Sequence, residues 1–393
     1  MSVDIELCAG AGGLGIGLRR AGFGAARFYE IDKHSCDTLR QNIASPHPTL
    51  TGVVYGEKEG DIKHIAWRFR KDEVRLLAAG TPCQPFSLGG KHLALEDGRN
   101  LFPDILRSIR ELRPKAILLE NVRGLLRPGF TPYFEYILRQ LESPAIRPKS
   151  EEIWQAHDER IRKYRRTPGY VPEYDVQWRL CDAADYGVPQ NRLRVFIMAT
   201  RIDLPAYRFP PTTHSKNALI RVMKSGEYWE RHGVQPPPEF PESESLFIPH
   251  PDGEKLPWQT VRDAIYDLPD PSPMEEGAWA NHWSISGARV YVGHSGSLLD
   301  WPAKAIKAGV HGVPGGENIL ISSDGANHYF TLRETARLQT FPDEHYFEGA
   351  RLHVTRQIGN AVPCRLAQII GQPLFEIVEP RTNIHLVPAE LAG

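Results

Sequence analysis

One cysteine of this sequence lies between two prolines, in the octet GTPCQPFS at positions 80–87. The apolar run 74–79 before it has the length and composition of a strand, which the glycine at position 80 ends. Because the prolines fix their own φ angles and restrict the residues before them, Cys83 follows the strand on a stiff loop. An ionised thiol held in one place suits nucleophilic catalysis, but free cysteine is also commonly a small buried residue. The octet alone leaves both interpretations open.

A carboxylate and two arginines accompany other predicted strands. Glu120 comes directly after the buried-type strand 116–119, and Arg192 and Arg194 alternate at the start of the strand 195–199. Ligands of open α/β sheets bind outside the carboxyl ends of the strands, so Glu120 and Cys83 are expected to face one crevice. A partly desolvated carboxyl there has a raised pKa and can carry a proton near neutral pH. Taken singly, Glu120 could instead cap the next turn, and the arginines could be surface residues.

A glycine-rich loop near the N-terminus predicts a binding site for a nucleotide-like ligand. Gly10, Gly12 and Gly15 match the pattern G-x-G-x-x-G between a predicted strand at 3–8 and a helix. Such glycines permit a tight turn and close approach of the backbone to a ligand. Glu30 lies in the second predicted strand, 28–32, 20 residues after Gly10, where a carboxylate could accept hydrogen bonds from ribose hydroxyls. A tight turn without a ligand is the alternative.

Two further segments are expected beside the same crevice. The turn 60–62 would place Asp61 there, with Ile62 against a flat ring. The loop 88–100 contains glycine hinges and several cations, which suits closure over a bound group. Each segment is, by itself, also compatible with an ordinary surface turn or loop.

Length and composition limit the class of protein. A chain of 393 residues favours two domains, and 41% hydrophobic with 24% charged residues is typical of a soluble globular protein. The sequence shows no apolar run long enough to span a membrane and no signal-peptide pattern. The five cysteines form no C-x-x-C pair, which argues against a disulfide framework or a zinc site and indicates a reducing compartment. The net charge of −1 requires any nucleic-acid surface to be local, with the cationic run 160–166 as one candidate.

The domain organisation is predicted to be discontinuous. After about residue 201 the chain becomes rich in proline and acidic residues and loses its periodicity. The α/β pattern resumes with helices predicted at 331–341 and 364–370. We therefore expect a first domain of residues 1–204 and 326–393, interrupted by a loop-rich domain of residues 205–325.

Taken in order, these motifs resemble those of the DNA (cytosine-5)-methyltransferases of bacterial restriction–modification systems. The match includes the glycine loop, the acidic residue after the second strand, Pro-Cys-Gln, Glu-Asn-Val at 120–122, Gln-x-Arg-x-Arg at 190–194, Arg-Glu-x-Ala-Arg-Leu-Gln at 333–339 and Gly-Asn-x-Val-Pro at 359–363. It covers roughly residues 3–200 and 325–375, and the segment between is where the family keeps its variable target-recognition domain. The chain departs from the pattern at Cys8, where the family usually has a phenylalanine that packs beside the cofactor.

The resemblance implies an α/β fold: a Rossmann-like S-adenosylmethionine-dependent methyltransferase domain with an inserted, smaller, loop-rich target-recognition domain. It implies methyl transfer to C5 of a flipped-out cytosine in a specific duplex DNA sequence, through a covalent bond between Cys83 and C6. The implied catalytic residues are Cys83, Glu120, Arg192 and Arg194. Of these, Arg192 is expected to hold the base carbonyl or the adduct, and Arg194 to orient Glu120 or Arg192.

The resemblance also implies the binding residues. Those for S-adenosylmethionine are Cys8, Ala9, Gly10, Ala11, Gly12, Gly13, Glu30, Ile31, Asp61, Ile62, Pro82, Leu101, Asn360 and Ala361. Those for DNA are Gln84, Ser87, Lys91, Arg99 and Gln190. No metal is expected. The expected partner is double-stranded DNA rather than a membrane, with a cognate restriction endonuclease that acts separately as a candidate second partner. We expect a monomer in the bacterial cytoplasm, associated with the nucleoid.

Three other functions were weighed against this one. An NAD-dependent oxidoreductase would use the glycine loop and Glu30, but gives no joint role to Cys83, Glu120 and the arginine pair. A tRNA cytosine methyltransferase would keep the chemistry, although an insert of about 120 residues favours duplex DNA, because recognition in a groove needs surface. A catalytically inactive binding protein conflicts with the intact Cys83 and Glu120.

Overall fold

The computed structural model describes residues 2–24, 26–70, 72–81, 100–237, 255–271, 279–285, 296–309, 318–321 and 327–380. Six of the residues predicted to bind or react lie outside these ranges: Pro82, Cys83, Gln84, Ser87, Lys91 and Arg99. No helix in the described part of the chain combines the length and the apolar character that a membrane span requires.

A seven-stranded sheet forms the centre of the molecule. Its strands are β1 (Val3–Leu7), β2 (Ala26–Glu30), β3 (Gly52–Gly56), β4 (Val74–Gly80), β5 (Ala116–Val122), β6 (Tyr174–Asp182) and β7 (Leu193–Arg201). Their order in the sheet is β3-β2-β1-β4-β5-β7-β6, and β7 is antiparallel to both of its neighbours. The order reverses between β1 and β4, and a crevice at such a reversal is the usual ligand site of a doubly wound α/β sheet.

Helices cover both faces of this sheet. The helices of the described chain are α1 (Gly13–Ala21), α2 (Lys33–Ala44), α3 (Phe102–Leu112), α4 (Thr131–Glu142), α5 (Trp154–Arg165), α6 (Lys216–Lys224), α7 (Glu227–His232), α8 (Val261–Ile265), α9 (Leu332–Leu338), α10 (Arg351–Asn360) and α11 (Cys364–Val378). Of these, α6, α7 and α8 belong to residues 205–325 and do not cover the sheet. The strands and helices predicted from the sequence are present, but several ends differ: β1 ends at Leu7 rather than Cys8, β5 continues through Glu120 to Val122, and α9 ends at Leu338 rather than Phe341. The second strand ends at Glu30 rather than Asp32, because the Asp32 side chain caps α2 by accepting a hydrogen bond from the Ser35 amide at 2.9 Å.

The continuous apolar run of β4 is explained by burial on both faces. Leu77 and Ala79 pack with the apolar residues of α3 and α4, whereas Leu76 and Ala78 pack with those of α1 and α11. Successive side chains of a strand point to opposite faces, so a strand covered on both sides needs apolar residues at every position. The two layers hold the carboxyl ends of β1, β4 and β5 at one edge of the sheet.

The described part of residues 205–325 contains α6, α7, α8 and four strands of two or three residues. These strands are β8 (His214–Ser215), β9 (Leu256–Pro257), β10 (Ser297–Leu298) and β11 (Ile319–Ile321); β12 (Asn327–Tyr329) follows and pairs with β11. A small separate cluster of Leu219, Tyr228 and Trp229 lies under α6 and α7. This part is joined to the sheet region by hydrogen bonds such as that from the Asn191 amide to the Ala303 carbonyl, at 2.8 Å.

Candidate active site

The carboxyl ends of three strands meet around Gly80. In the parallel register Gly80 pairs with Glu120 of β5. A Cβ atom placed on Gly80 would lie 3.9 Å from Glu120 Oε2 and 4.0 Å from the Cys8 carbonyl oxygen. The end of β4 therefore faces both the Glu120 carboxyl and the start of the glycine loop. The described chain continues only to Thr81, two residues before Cys83 in the sequence.

Glu120 is buried and paired with Arg194. Arg194 Nε lies 2.8 Å from Glu120 Oε1, and Glu120 is only 6% exposed. The pairing follows from the antiparallel register, in which Val122 lies opposite Arg194. Burial raises the pKa of Glu120, and the charges of Arg194 and Arg192 partly offset that effect. Glu120 can therefore hold a proton at higher pH than an exposed glutamate, while Arg194 fixes its orientation.

Thr81 and Asn121 form hydrogen bonds that join the ends of β4 and β5 beside Glu120. The amide and the hydroxyl of Thr81 both donate to the Glu120 carbonyl, at 3.2 and 3.0 Å, and the Asn121 side-chain amide donates to the Thr81 hydroxyl. All three residues are buried. Sequence reasoning did not assign Thr81 or Asn121 a role, although their places beside Pro-Cys-Gln and inside Glu-Asn-Val were a usable signal.

Arg192 does not share the position of Arg194. Its Nη1 donates to the Ile306 carbonyl at 3.0 Å, and its Nη2 donates to the carbonyls of Gly359 and Ala361 at 2.7 and 2.9 Å. Arg192 is 1% exposed. The predicted contact of Arg192 with the cytosine carbonyl disagrees with this geometry, because the guanidinium is committed to backbone acceptors in the interior. Its charge remains close enough to influence Glu120.

Gln190, predicted to bind DNA, is fully buried. Its Oε1 accepts from the Ile306 amide at 2.9 Å, and its Nε2 donates to the Leu338 carbonyl and to Gln339 Oε1, both at 3.1 Å. A side chain with its amide group used in this way presents nothing to a duplex at the surface. In this structure Gln190 joins Arg192 in an internal network, and its contact with DNA stays a prediction that this geometry does not support.

The glycine loop lies beside Glu30, as the sequence predicts. Gly10 and Gly12 have φ angles of +54° and +83°, which favour glycine. Glu30 accepts hydrogen bonds from the amides of Gly10, Ile31 and Asp32, at 2.7 to 2.8 Å. Burial raises the pKa of Glu30, and these amide donors oppose the shift. A carboxylate has about four acceptor positions, so three amides leave capacity for a ligand hydroxyl.

Open space adjoins this loop. Among the described residues, nothing lies within 4 Å of a Cβ atom placed on Gly10, and the apolar side chain of Ile31, directly after Glu30, is 61% exposed. An exposed isoleucine beside a buried carboxylate provides an apolar surface and a hydroxyl acceptor together. The residues at the end of β2 therefore fit a nucleoside group.

The remaining predicted cofactor residues surround the same edge with different exposures. Cys8 is partly buried with φ +55°, and burial raises the pKa of its thiol. Asp61 is partly exposed, and its Oδ1 accepts from the Lys63 amide at 3.1 Å, whereas Ile62 is buried in the core. Leu101 is partly buried at the start of α3. Ala9 and Ala11 are buried within the loop.

The glycine loop also contacts the segment after α10. A Cβ atom on Gly13 would lie 2.5 Å from the Val362 carbonyl oxygen and 3.1 Å from Ala361 Cβ. Asn360 is exposed at the end of α10. The structure thus brings Asn360 and Ala361, distant in sequence, to the N-terminal loop. Within the described ranges, no group of three or more His, Cys, Asp or Glu side chains could hold a metal ion.

The doubly wound sheet, the glycine loop with its acidic partner and the buried Glu120–Arg194 pair define a Rossmann-like transferase domain. The chain belongs to the C-5 cytosine-specific DNA methylase family, whose model matches residues 3–145 and 171–376. Residues 146–170, which contain α5, are not part of that match.

Related proteins agree with this family. The chain is 32% identical to the type II methyltransferase M.NgoMIV of Neisseria gonorrhoeae, over 96% of this chain and 98% of the relative. It is 31% identical to M.Eco47II of Escherichia coli, over 95% of this chain and 79% of the relative. The fold is similar to that of the S. pombe Dnmt2 methyltransferase, with a TM-score of 0.54 at 17% identity over 95% and 98% of the two chains. The protein is a DNA (cytosine-5)-methyltransferase of the restriction–modification type, and its family uses S-adenosylmethionine.

Proposed function

We propose that this enzyme methylates C5 of a cytosine flipped out of a specific duplex sequence, through a covalent bond between Cys83 and C6. The observation that carries the proposal is the buried Glu120, whose pKa is raised by burial and whose carboxyl is held at 2.8 Å by Arg194. A protonated carboxyl at that place can donate a hydrogen bond to N3 of cytosine. This makes addition of a thiolate to C6 easier.

The reaction needs a nucleophile because C5 of cytosine is itself unreactive. The Cys83 thiolate forms a bond to C6, while Glu120 donates a hydrogen bond or a proton to N3, so the ring becomes an enamine with electron density at C5. S-adenosylmethionine, when bound, would supply the electrophilic methyl group to C5 and leave as S-adenosylhomocysteine. A base, either a water molecule or a side chain, then removes the C5 proton. Elimination of Cys83 restores the aromatic ring and the free thiolate.

Arg194 is the arginine placed to assist at the base. Its Nε contacts Glu120, and its Nη1 donates to the Leu193 carbonyl at 2.8 Å, so the guanidinium is held at the mouth of the crevice. We assign to Arg194 the contact with the cytosine carbonyl that the sequence suggested for Arg192. A fixed cation there stabilises negative charge as it develops on the ring.

The cofactor would lie across the ends of β1 and β2. Glu30 would accept hydrogen bonds from ribose hydroxyls, and Ile31 would contact the adenine ring. At Gly10, which has no side chain, the ligand could approach the backbone of the glycine loop closely. Asn360 and Ala361 would contact the amino-acid part from the opposite side. The supporting facts are the open space at Gly10, the exposure of Ile31 and the spare acceptor capacity of Glu30.

The DNA substrate must be distorted for this chemistry. C6 and N3 of a stacked, paired cytosine are out of reach of buried side chains, so the base has to leave the helix. Residues 205–325 would recognise the flanking base pairs, since the catalytic residues all lie outside this segment. The methylated sites would give the recognition sequence of the enzyme. DNA containing that sequence could then be used to test for a separate restriction endonuclease that cleaves it.

Covalent trapping tests the nucleophile. In the presence of S-adenosylmethionine, duplex DNA with 5-fluorocytosine at the target should form a denaturation-resistant adduct with the wild-type protein. After methyl transfer C5 carries fluorine in place of hydrogen, so a base has no proton to remove and Cys83 cannot be eliminated. Cys83→Ser should form no adduct and no methylated product but should still bind S-adenosylhomocysteine. Normal turnover by this variant would overturn the nucleophile assignment. Cys181→Ser, at a buried cysteine far along the chain, is the matched control and should form the adduct.

Methyl acceptance tests the substrate. Transfer of tritiated methyl groups should occur to duplex DNA and not to tRNA, and bisulfite sequencing of the DNA product should locate one recurring sequence. Preferential labelling of tRNA would contradict the proposed substrate while leaving the chemistry intact.

A further inference from the structure

A buried polar network links three distant segments of the chain at Arg192. The network consists of Gln190, Arg192 and Gln339, and each of these side chains is at most 1% exposed. It lies just before β7, the strand that carries Arg194. Two of its members belong to the Gln-x-Arg-x-Arg motif, yet neither faces the crevice that Arg194 faces.

One side of the network holds the turn after α10. Arg192 Nη2 donates to the carbonyls of Gly359 and Ala361, and Gln339 Nε2 donates to the Ile358 carbonyl at 2.7 Å. These carbonyls lie at the C-terminal end of a helix, where a cation is favourable. The turn they form carries Asn360 and Ala361, the proposed cofactor contacts.

The other side holds a segment of the proposed DNA-recognition domain. Arg192 Nη1 donates to the Ile306 carbonyl, and Gln190 Oε1 accepts from the Ile306 amide. The Ala303 amide donates to the Pro189 carbonyl at 2.9 Å. Residues 303–308 are therefore attached to the chain immediately before β7.

The two sides are also in direct contact. A Cβ atom on Gly359 would lie 2.5 Å from the Ala308 nitrogen and the Lys307 carbonyl carbon. No side chain fits between them, so a displacement of either backbone must move the other. The planar guanidinium of Arg192 spans the same junction with donors to both sides, and a rigid fork cannot follow one side alone.

From this junction we infer that Arg192 is a positioning residue that transmits occupancy of the cofactor turn 358–361 to segment 303–308 of the recognition domain. Cofactor binding then orders part of the DNA-binding surface before DNA arrives, and by linkage DNA increases cofactor affinity. This inference rests on the proposed cofactor role of Asn360 and Ala361. It assigns Arg192 a task that differs from that of Arg194, two residues away.

Hydrogen exchange tests the inference without relying on activity. In the wild-type protein, saturating S-adenosylhomocysteine should slow exchange of amides in 358–361 and also in 303–308, including the Ile306 amide bonded to Gln190. Protection of 358–361 without any effect on 303–308 would overturn the inference and leave the proposed cofactor site standing. No protection of 358–361 would overturn that site and the inference with it.

Two conservative variants distinguish the proposed role of Arg192 from that of Arg194. Arg192→Lys keeps the charge but loses the fork, so the protection of 303–308 should disappear, and the increase in S-adenosylhomocysteine affinity caused by DNA should fall on the order of tenfold. Arg194→Lys should retain both effects but form the 5-fluorocytosine adduct more slowly. Equal loss of coupling in the two variants would contradict the inference. The wild-type experiment decides the question even if Arg192→Lys does not fold.

Discussion

Glu120 illustrates how a single residue acquires a function from opposing electrostatic effects. Burial disfavours the ionised carboxylate, whereas Arg194 and Arg192 favour it, and burial is the larger effect. A carboxyl that keeps its proton can assist addition at C6, and one that has lost it cannot donate to N3. The alkaline side of the pH profile should therefore report this group.

Glu120→Gln should lower the rate constant for methyl transfer by about 10²–10⁴-fold, because the amide can still donate a hydrogen bond but cannot transfer a proton. In the wild-type enzyme the rate should fall as pH rises through the raised pKa of Glu120, and the variant should lack that limb. Single-turnover rates measured across the pH range check both points. An exposed replacement, Glu59→Gln, should leave the profile unchanged. An alkaline limb that persists in Glu120→Gln would assign it to another group.

Among the elements, α1 and α11 pack closely against each other at Gly17. A Cβ atom on Gly17 would lie 2.4 Å from both Ala367 Cβ and the Cys364 carbonyl oxygen, so the helices approach through the space that a side chain would occupy. The contact supports the sheet face beneath the glycine loop, since α1 begins directly after Gly12.

Gly17→Ala should destabilise the protein by about 1–3 kcal/mol, because the added methyl group must displace a backbone carbonyl. The higher helix propensity of alanine offsets only about 1 kcal/mol of this. Gly24→Ala, where a Cβ atom would meet no described residue within 4 Å, is the matched control and should be nearly neutral. Denaturant unfolding of the two variants measures the difference. Equal stability of both would show that α1 and α11 can separate at no cost.

How much of the site the sequence predicted depends on where each residue finds its partners. Glu30 and Gly10 are joined by a local strand–turn–helix motif, and their meeting was predictable. Arg192 and Gln190 share a motif with Arg194, but their acceptors lie in segments 303–308, 338–339 and 358–361. Spacing within a motif gives the strand position of a side chain, but not which distant carbonyls complete its hydrogen bonds. For that reason the sequence did not predict the internal network that Gln190 and Arg192 form.

The cationic run 160–166 is an element whose distant partners the sequence also did not reveal. As a sequence it was a candidate phosphate contact, but the structure places it on α5 with acidic partners from its surroundings. Arg160 pairs with Glu152, Arg162 with Asp158 and Arg165 with Glu142. Most of these charges therefore serve to hold α5 in place, and no role in DNA binding is assigned to the run.

For the whole molecule, chemistry and recognition are proposed to be separable. Glu30, Glu120 and Arg194 all lie outside residues 205–325, and the network at Arg192 contacts that segment through the Ile306 backbone. Backbone groups are supplied by any sequence. The segment can therefore vary without loss of the junction.

Exchange of residues 205–325 for the corresponding segment of M.NgoMIV should change the methylated sequence to that of the donor while retaining cofactor binding. Bisulfite sequencing of treated DNA identifies the new sites. The same exchange in the Cys83→Ser protein should give no methylation. Methylation of the original sequence by the chimera would place recognition outside 205–325.

The contact between α1 and α11 has a consequence for biosynthesis. The two helices lie more than 340 residues apart in the chain, so the part of α1 that packs on α11, including Gly17, stays uncovered until α11 has been made. At about 5–20 residues per second, translation leaves that part of α1 waiting for tens of seconds. The layer that α11 adds behind α1 and the glycine loop is therefore complete only after α11 has emerged from the ribosome.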